Sequence, residues 1–345
     1  MVIKTKKMRD DDELEVIYFN KYGYDPFIDF LKAYAIIMVV FTHCIPSFVH
    51  DLILGCLWID VQVPLFLLIQ VFHAYKNEKT PEINMKKMAK RIVLPFAIIQ
   101  IAIFVTLALF LEDDICKLLN ISVLTGVGGC GPGSYYFWVY IQFAFLLRWA
   151  YPFLERHNVK TLTIVFIIIP MIIDIICSIT HMPEQLYRLL ALRYVFLILL
   201  GYLWVKQGIV LNKRTIALAV CSILATLFFS YTNFDLDPLF FTTGWKTHRW
   251  LCYYFIATLF VVFLKCVYNK VSKHQIVIKI IREIGKCSYD IYLFQMAVFT
   301  LFTSNQLSFI ENNHVRIMLW MVIAFLASIV GGVVFNKMKL KIESF

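Results

Sequence analysis

The sequence predicts an all-α, polytopic membrane protein with about ten transmembrane helices. Three observations predict it. The 345 residues are 60% hydrophobic and only 16% charged, whereas soluble domains are about half apolar and a quarter charged. Apolar runs of about 20 residues, enough to cross a hydrocarbon core about 30 Å thick, recur along the chain. The Lys and Arg residues fall mainly between alternate runs, as they do in proteins that cross a membrane many times.

Taken in order, the apolar runs place helices near 28–48, 52–72, 92–111, 135–154, 161–180, 189–205, 215–231, 250–268, 287–304 and 315–336. An even number puts both termini on one side. That side then receives about 25 of the 33 basic residues. They come from the N-terminal segment, the second loop around Lys86–Arg91, the eighth loop from Lys265 to Lys286 and the tail with Lys337, Lys339 and Lys341. The other side holds only Lys117, Arg188, Arg193, Lys246, Arg249 and Arg316. An odd number of helices would mix the two sets. The positive-inside rule makes the basic side cytoplasmic, so both termini are expected there. The chain thus reads as a charged cytoplasmic segment over 1–27, a ten-helix membrane domain over 28–336 and a basic cytoplasmic tail over 337–345. Residues 1–27 have no apolar stretch leading to a small-residue cleavage site, so no cleaved signal peptide is expected.

The net charge of +10 is accounted for by loops that face anionic lipid, and no nucleic-acid-binding module is visible. The nine cysteines include no Cys-x-x-Cys pair. Most lie in apolar runs, where a thiol acts as a small hydrophobe, so neither a disulfide framework nor a metal site is expected. Two loops on the less basic side stand out. Residues 112–134 carry Glu112, Asp113, Asp114 and a glycine-rich stretch ending at Gly133. They read as a turn with many positive-φ positions or, with less support, as an anion cradle. Residues 232–249 hold Asp235, Asp237, Trp245, His248 and Arg249, which suit either contact with sugar or an interfacial aromatic belt. Asn120-Ile-Ser122 is a glycosylation triplet in one of these loops, of a kind that arises often by chance.

Ionisable groups inside a membrane are costly and so are functional candidates. The first helix contains Asp29, Lys32 and His43. Eleven residues at ~100° each are three turns plus ~20°, so Lys32 and His43 share one face, ~16 Å apart along the axis. Such a polar stripe must face a protein interior or a wet cavity. His43 is the histidine deep in a span, and a neutral imidazole can take a proton from a hydroxyl. A histidine that only bonds a neighbouring helix is the competing reading. The second helix carries Asp60, Gln62 and Gln70, with Pro64 able to bend it. Asp60 either orients the His43 ring or is a solvated helix-start residue. After it come Lys86, Lys87, Lys90 and Arg91, a cluster able to attract phosphates and equally explained by membrane topology.

Several of these segments, in this order, resemble the acyltransferase-3 superfamily. Asp29-x-Leu-Lys32-x-x-Ala35, followed by Val39 and His43, resembles its opening motif, a basic residue, ten residues and a histidine. Val63-Pro-Leu-Phe66 is similar to its Pro-Leu-Phe-Phe stretch, and Lys90-Arg91-Ile-Val-Leu-Pro95 to its basic Arg-Leu-x-x-Pro segment. Tyr136-Phe-Trp138 resembles its Trp-Phe-Leu run. Ile284-Gly-Lys-Cys-Ser288-Tyr-Asp-Ile-Tyr292-Leu-Phe-Gln295 resembles its Ile-Gly-x-x-Ser-Tyr-x-Ile-Tyr-Leu-x-His. The chain departs at Lys32, where many members have Arg, at Gln70-Val71 in place of Ser-Gly and at Gln295 in place of His. Lys32 keeps the cation but lacks the guanidinium fork.

The resemblance implies a ten-helix membrane O-acyltransferase of the bacterial inner membrane. It would move an acyl group, usually acetyl, from acyl-CoA to a hydroxyl of a cell-envelope or extracellular glycan, with no metal. The expected catalytic residues are His43, Asp60 and Lys32. Lys87, Lys90 and Arg91 are expected near the phosphates of acyl-CoA. Expected partners are membrane lipid, a lipid-linked or polymeric glycan and the polysaccharide assembly machinery. An exporter of such a glycan, or a subunit without turnover, is the rival reading. Intramembrane Asp, Lys and His also mark transport paths, but the chain lacks the internal repeat many transporters show.

Overall fold

The computed structural model describes residues 15–110, 131–232 and 249–343. The acidic group at Glu112–Asp114, the glycosylation triplet and most of the residue 232–249 loop therefore lie outside the described residues. Among the described residues the fold is almost wholly helical. Its one sheet pairs β1 (Glu15–Ile17) antiparallel with β2 (Ile209–Leu211).

In chain order the helices begin with α1 (Pro26–Cys44), α2 (Ser47–Leu52), α3 (Gly55–Trp58), α4 (Gln62–Tyr75), α5 (Met85–Met88) and α6 (Leu94–Phe110). Then come α7 (Tyr135–Arg156), α8 (Val159–Ile179), α9 (Glu184–Arg188), α10 (Val195–Gln207) and α11 (Lys213–Tyr231). The last are α12 (Trp250–Phe255), α13 (Val261–Val271), α14 (Gln275–Lys286), α15 (Ser288–Leu301) and α16 (Asn313–Glu343). Each of the ten apolar runs carries a helix. Among the described residues, however, seven helices rather than ten are long and apolar enough to cross a membrane. At a rise of about 1.5 Å per residue, α10 (13 residues) and α15 (14 residues) reach only about 20 Å. α7 is long, but its tyrosines, Gln142 and Arg148 lower its apolar character.

Burial separates two kinds of helix. α10 and α4 are buried along most of their length and form the centre. α8 instead exposes Ile164, Ile168, Ile172 and Ile176 at four-residue spacing. α16 exposes Met318, Val322, Leu326 and Val330 in the same way. An apolar stripe of that length is unfavourable in water and natural against lipid tails.

Local chemistry sets the helix starts nearest the site. Asp25 accepts the Phe27 N–H at 3.0 Å and Pro26 fills the first position of α1, where its missing N–H costs nothing. The second span is found as Gly55–Tyr75, made of α3, a turn and α4. Pro64, read as able to bend it, sits in the first turn of α4, where a proline forfeits no helical hydrogen bond.

The basic end is tied by contacts that the sequence did not suggest. Lys21 pairs with Glu78 at 2.7 Å, and Lys206 reaches Glu78 at 3.4 Å and Glu155 at 2.9 Å. The stretch expected as a basic eighth loop contains α14, which lies along α1. Gly285 permits the approach, since a Cβ there would stand 2.0 Å from the Asp29 carbonyl oxygen. At the start of α15, Asp290 accepts two hydrogen bonds from Lys339 at 2.6 and 2.8 Å and one from Asn336 at 2.5 Å. The beginning of α1 and the last turns of α16 therefore meet the α14–α15 junction at the same end of the bundle. The helix α16 runs on through Glu343 into the residues read as the basic tail.

At the opposite end Arg193 and Arg249, both expected on the less basic side, are buried. Arg249 lies 3.5 Å from Asp174, whose other oxygen accepts from the Tyr187 hydroxyl at 2.7 Å. The Arg193 guanidinium stacks over the rings of Tyr187 and Tyr194.

Candidate active site

A cavity of about 1120 Å³ runs between α1, α4, α7 and α15. From α1 it is lined by Lys32, Val39, Thr42 and His43. These fall at the helical spacing that puts them on one face, so the polar stripe read from the sequence faces a cavity. α4 runs back beside α1 and contributes Gln62, Phe66, Ile69, Gln70 and His73. His73 also stands eleven residues from Gln62. The two antiparallel helices thus present His43 and Gln62 at one depth and Lys32 and His73 at another, ~16 Å away. Lys32 is an electrostatic neighbour of His73, as that arrangement requires.

At the basic end the wall includes the Glu82 carboxylate together with Asn84, Lys87, Met88, Arg91 and Ile92. Lys87 and Arg91 stand about one turn apart on the cavity side. The turn that carries Arg91, Ala89–Val93, is a π-helical segment, a feature frequent at functional sites. Lys87, Lys90 and Arg91 are all exposed, and Lys90 lies outside the lining. Of the three residues expected near phosphate, Lys87 and Arg91 line the cavity and Lys90 does not.

Lys32 is held at 3.4 Å by Asp29. Asp29 also accepts from the Tyr24 hydroxyl at 2.5 Å, and Arg282 donates to that hydroxyl at 3.2 Å. Asp29 is not itself in the lining. It positions the lysine that is.

His43 makes no side-chain hydrogen bond among the described residues. Its ring meets Phe299 edge-on at 5.7 Å. On another side stands Gly133, where a Cβ would lie 3.9 Å from His43 Nε2. The imidazole is thus packed by an aromatic ring and faces the cavity with nitrogen capacity to spare.

Asp60 also lines the cavity, but the expectation that it orients the His43 ring is replaced by another pairing. His50 of α2 donates from Nε2 to Asp60 Oδ1 at 3.0 Å. The physical reason is the fold of residues 45–61, which brings α2 back onto the turn before α4. Asp60 raises the His50 pKa above its ordinary 6.5, chiefly through this hydrogen bond and against the lowering effect of burial. A raised folded-state pKa stabilises fully below 6.5, and that contribution is lost as pH rises through the raised value. Thermal unfolding in detergent is therefore expected to show stability falling from pH 6.5 upward. His50→Gln, which cannot titrate, should flatten that slope; an unchanged slope would show that the pair does not stabilise the fold.

The residues least visible in the sequence form a clamp over His43. Gly131 and Gly133 have φ of +103° and +84°, a conformation open to glycine at little cost. Gln295 donates to the Pro132 carbonyl at 2.9 Å, the Tyr292 hydroxyl to the Gly133 carbonyl at 3.0 Å and the Ser134 hydroxyl to the Gly131 carbonyl at 2.9 Å. The end of the glycine-rich stretch is therefore bonded in place. Its beginning, 126–130, lies outside the described residues. The signal available was the placement of Tyr292 and Gln295 three residues apart on one helix face, beside a Gly-Pro-Gly that immediately precedes α7. Among the described residues no three metal-ligating side chains come together.

The fold and this cavity define a class: a polytopic membrane protein enclosing a polar, ligand-sized chamber, with Lys32, Lys87 and Arg91 toward the basic end and, deeper, an imidazole that makes no side-chain hydrogen bond among the described residues. A family model described as an acyltransferase domain matches residues 25–337, which include every side chain of the chamber wall. The chain belongs to the acyltransferase-3 family and is a membrane acyltransferase. No curated protein and no solved structure matches it.

Proposed function

We propose that this acyltransferase moves an acyl group, acetyl in the usual case, from acyl-CoA to a hydroxyl of a cell-envelope or extracellular glycan. Its place is the bacterial inner membrane, with both termini and the basic end in the cytoplasm. The observation that carries this reading is the two-ended cavity. Lys87, Arg91 and Lys32 line the part nearer the basic end, and His43 lies ~16 Å deeper along α1, a separation that an extended pantetheine arm covers. Acyl-CoA docks its phosphates on Lys87 and Arg91, which supply charge-assisted hydrogen bonds, and its thioester reaches His43. His43 takes the proton of the acceptor hydroxyl as the oxygen bonds to the thioester carbonyl carbon. The C–S bond then breaks, and the thiolate leaves with the proton from the imidazolium. The products are an ester and free CoA-SH, and His43 is neutral again. The described lining holds aliphatic and aromatic side chains between the polar ends, which favours charge development away from bulk water.

The direct test is incubation of membranes containing the protein with isotope-labelled acetyl-CoA, followed by measurement of label in the envelope glycan. No label above that of membranes lacking the protein would overturn the reading. A trapped acyl-histidine would redirect the mechanism to a covalent relay. For the donor end, Lys87→Ala with Arg91→Ala is expected to raise KM for acetyl-CoA about tenfold or more, the loss expected for hydrogen bonds to a charged group. Lys90→Ala should change it less than about twofold. Equal effects of the two variants would mean that surface charge, and not the cavity wall, attracts the donor.

A further inference from the structure

Among the described residues, one buried polar side chain in the cavity has no hydrogen-bond partner and has no part in the mechanism above. Gln62 is only 8% exposed. Its Oε1 is buried without a hydrogen-bond partner, and among the described residues its side chain makes no hydrogen bond. Leaving a buried polar atom unsatisfied is unfavourable, and proteins rarely do so without cause. Gln70, two turns further along α4, shows the contrast. Its Oε1 is likewise buried without a partner, but its Nε2 is anchored on the Tyr140 carbonyl at 3.1 Å, as in a residue that shapes the wall. Among the described residues nothing anchors the Gln62 side chain, and it lines the same chamber as His43. It starts α4 where His43 ends α1, at the end away from Lys87 and Arg91.

We propose that Gln62 binds the acceptor, through a second hydroxyl beside the one that reacts at His43. This rests on the acyl-transfer reading and adds a requirement to it: the acceptor must carry at least two nearby hydroxyls. Chemistry distinguishes the acceptor from the donor here. The reacting end of a thioester offers a carbonyl oxygen and a sulfur, neither of which can donate to Oε1. A hydroxyl both donates and accepts, so it satisfies a carboxamide from either face. The reacting hydroxyl gives its proton to His43 and is not free to satisfy Gln62 as well. A neighbouring hydroxyl on the same molecule is, and it would hold the acceptor in register against the imidazole.

The test uses labelled acetyl-CoA and, as acceptor probe, de-O-acylated envelope glycan from a strain lacking the protein, each titrated against the full-length protein in membranes. Gln62→Leu is expected to raise KM for the glycan about tenfold, the loss of one buried neutral hydrogen bond. KM for acetyl-CoA should move less than about twofold. Gln62→Asn keeps the carboxamide one methylene shorter, and its glycan KM should fall between wild type and Gln62→Leu. Should Gln62→Leu fail to accumulate, Gln62→Asn decides: a rise confined to the glycan KM supports the proposal and no rise overturns it. If wild type labels the glycan and Gln62→Leu has an unchanged glycan KM, or raises both KM values alike, the Gln62 assignment alone is wrong. If wild type transfers no label, the acyl-transfer reading has failed and this assignment falls with it.

Discussion

Replacing His43 with Gln is expected to slow acyl transfer by about a hundredfold to ten-thousandfold, the range over which a positioned general base contributes. The fold should survive the change. Among the described residues the imidazole makes no side-chain hydrogen bond, so none is broken. What is lost is its edge-on contact with Phe299, a contact of a kind worth about 1 kcal/mol between aromatic rings. Glutamine is of similar length and can present an amide to the same space, but it cannot accept a proton at neutral pH. Rates of label transfer, measured alongside the amount of folded protein in the membrane, separate the two effects. A His43→Gln protein that transfers at the wild-type rate would remove the base from the mechanism. The acyltransferase class would stand, since it rests on the family match over residues 25–337.

The largest expected effect on stability comes from Gly285→Ala. An added Cβ would stand 2.0 Å from the Asp29 carbonyl oxygen, 2.8 Å from its carbon and 3.1 Å from its Cα. All three are backbone atoms, so no side-chain rotation relieves the clash, and α14 must move away from α1. Overpacking of this kind costs about 3 kcal/mol, and thermal unfolding in detergent should occur several degrees lower. Activity should fall too, because Asp29 sits at the contact and its carboxylate holds Lys32 at the cavity wall. Gly23→Ala is the control. Its Cβ would meet the end of the Asn20 side chain at 3.2 Å, which can swing aside, so a change of less than about 1 kcal/mol is expected. Equal melting of the two variants would show that α14 does not need its close seat on α1.

What the sequence determined is what one segment can specify alone. Composition and apolar run length required a helical membrane protein. The eleven-residue spacing of Lys32 and His43 put both on one face, and the cost of polar groups in lipid required that face to look into a cavity. The motifs from Asp29 to Gln295, taken in order, identified the family. Tertiary structure decided how one segment meets another. Asp60 pairs with His50 because α2 folds back onto the turn before α4, a meeting that no apolar run records. Lys90 falls outside the cavity lining while Lys87 and Arg91 fall within it, which the charge cluster does not record. The clamp on Gly131–Gly133 comes from Tyr292 and Gln295, about 160 residues away in the chain, and the unpartnered amide of Gln62 is visible only once its neighbours are placed. Helical periodicity reports which side chains share a face; which faces meet, and at what depth, follows from packing between helices and is not encoded in the spacing within any one of them.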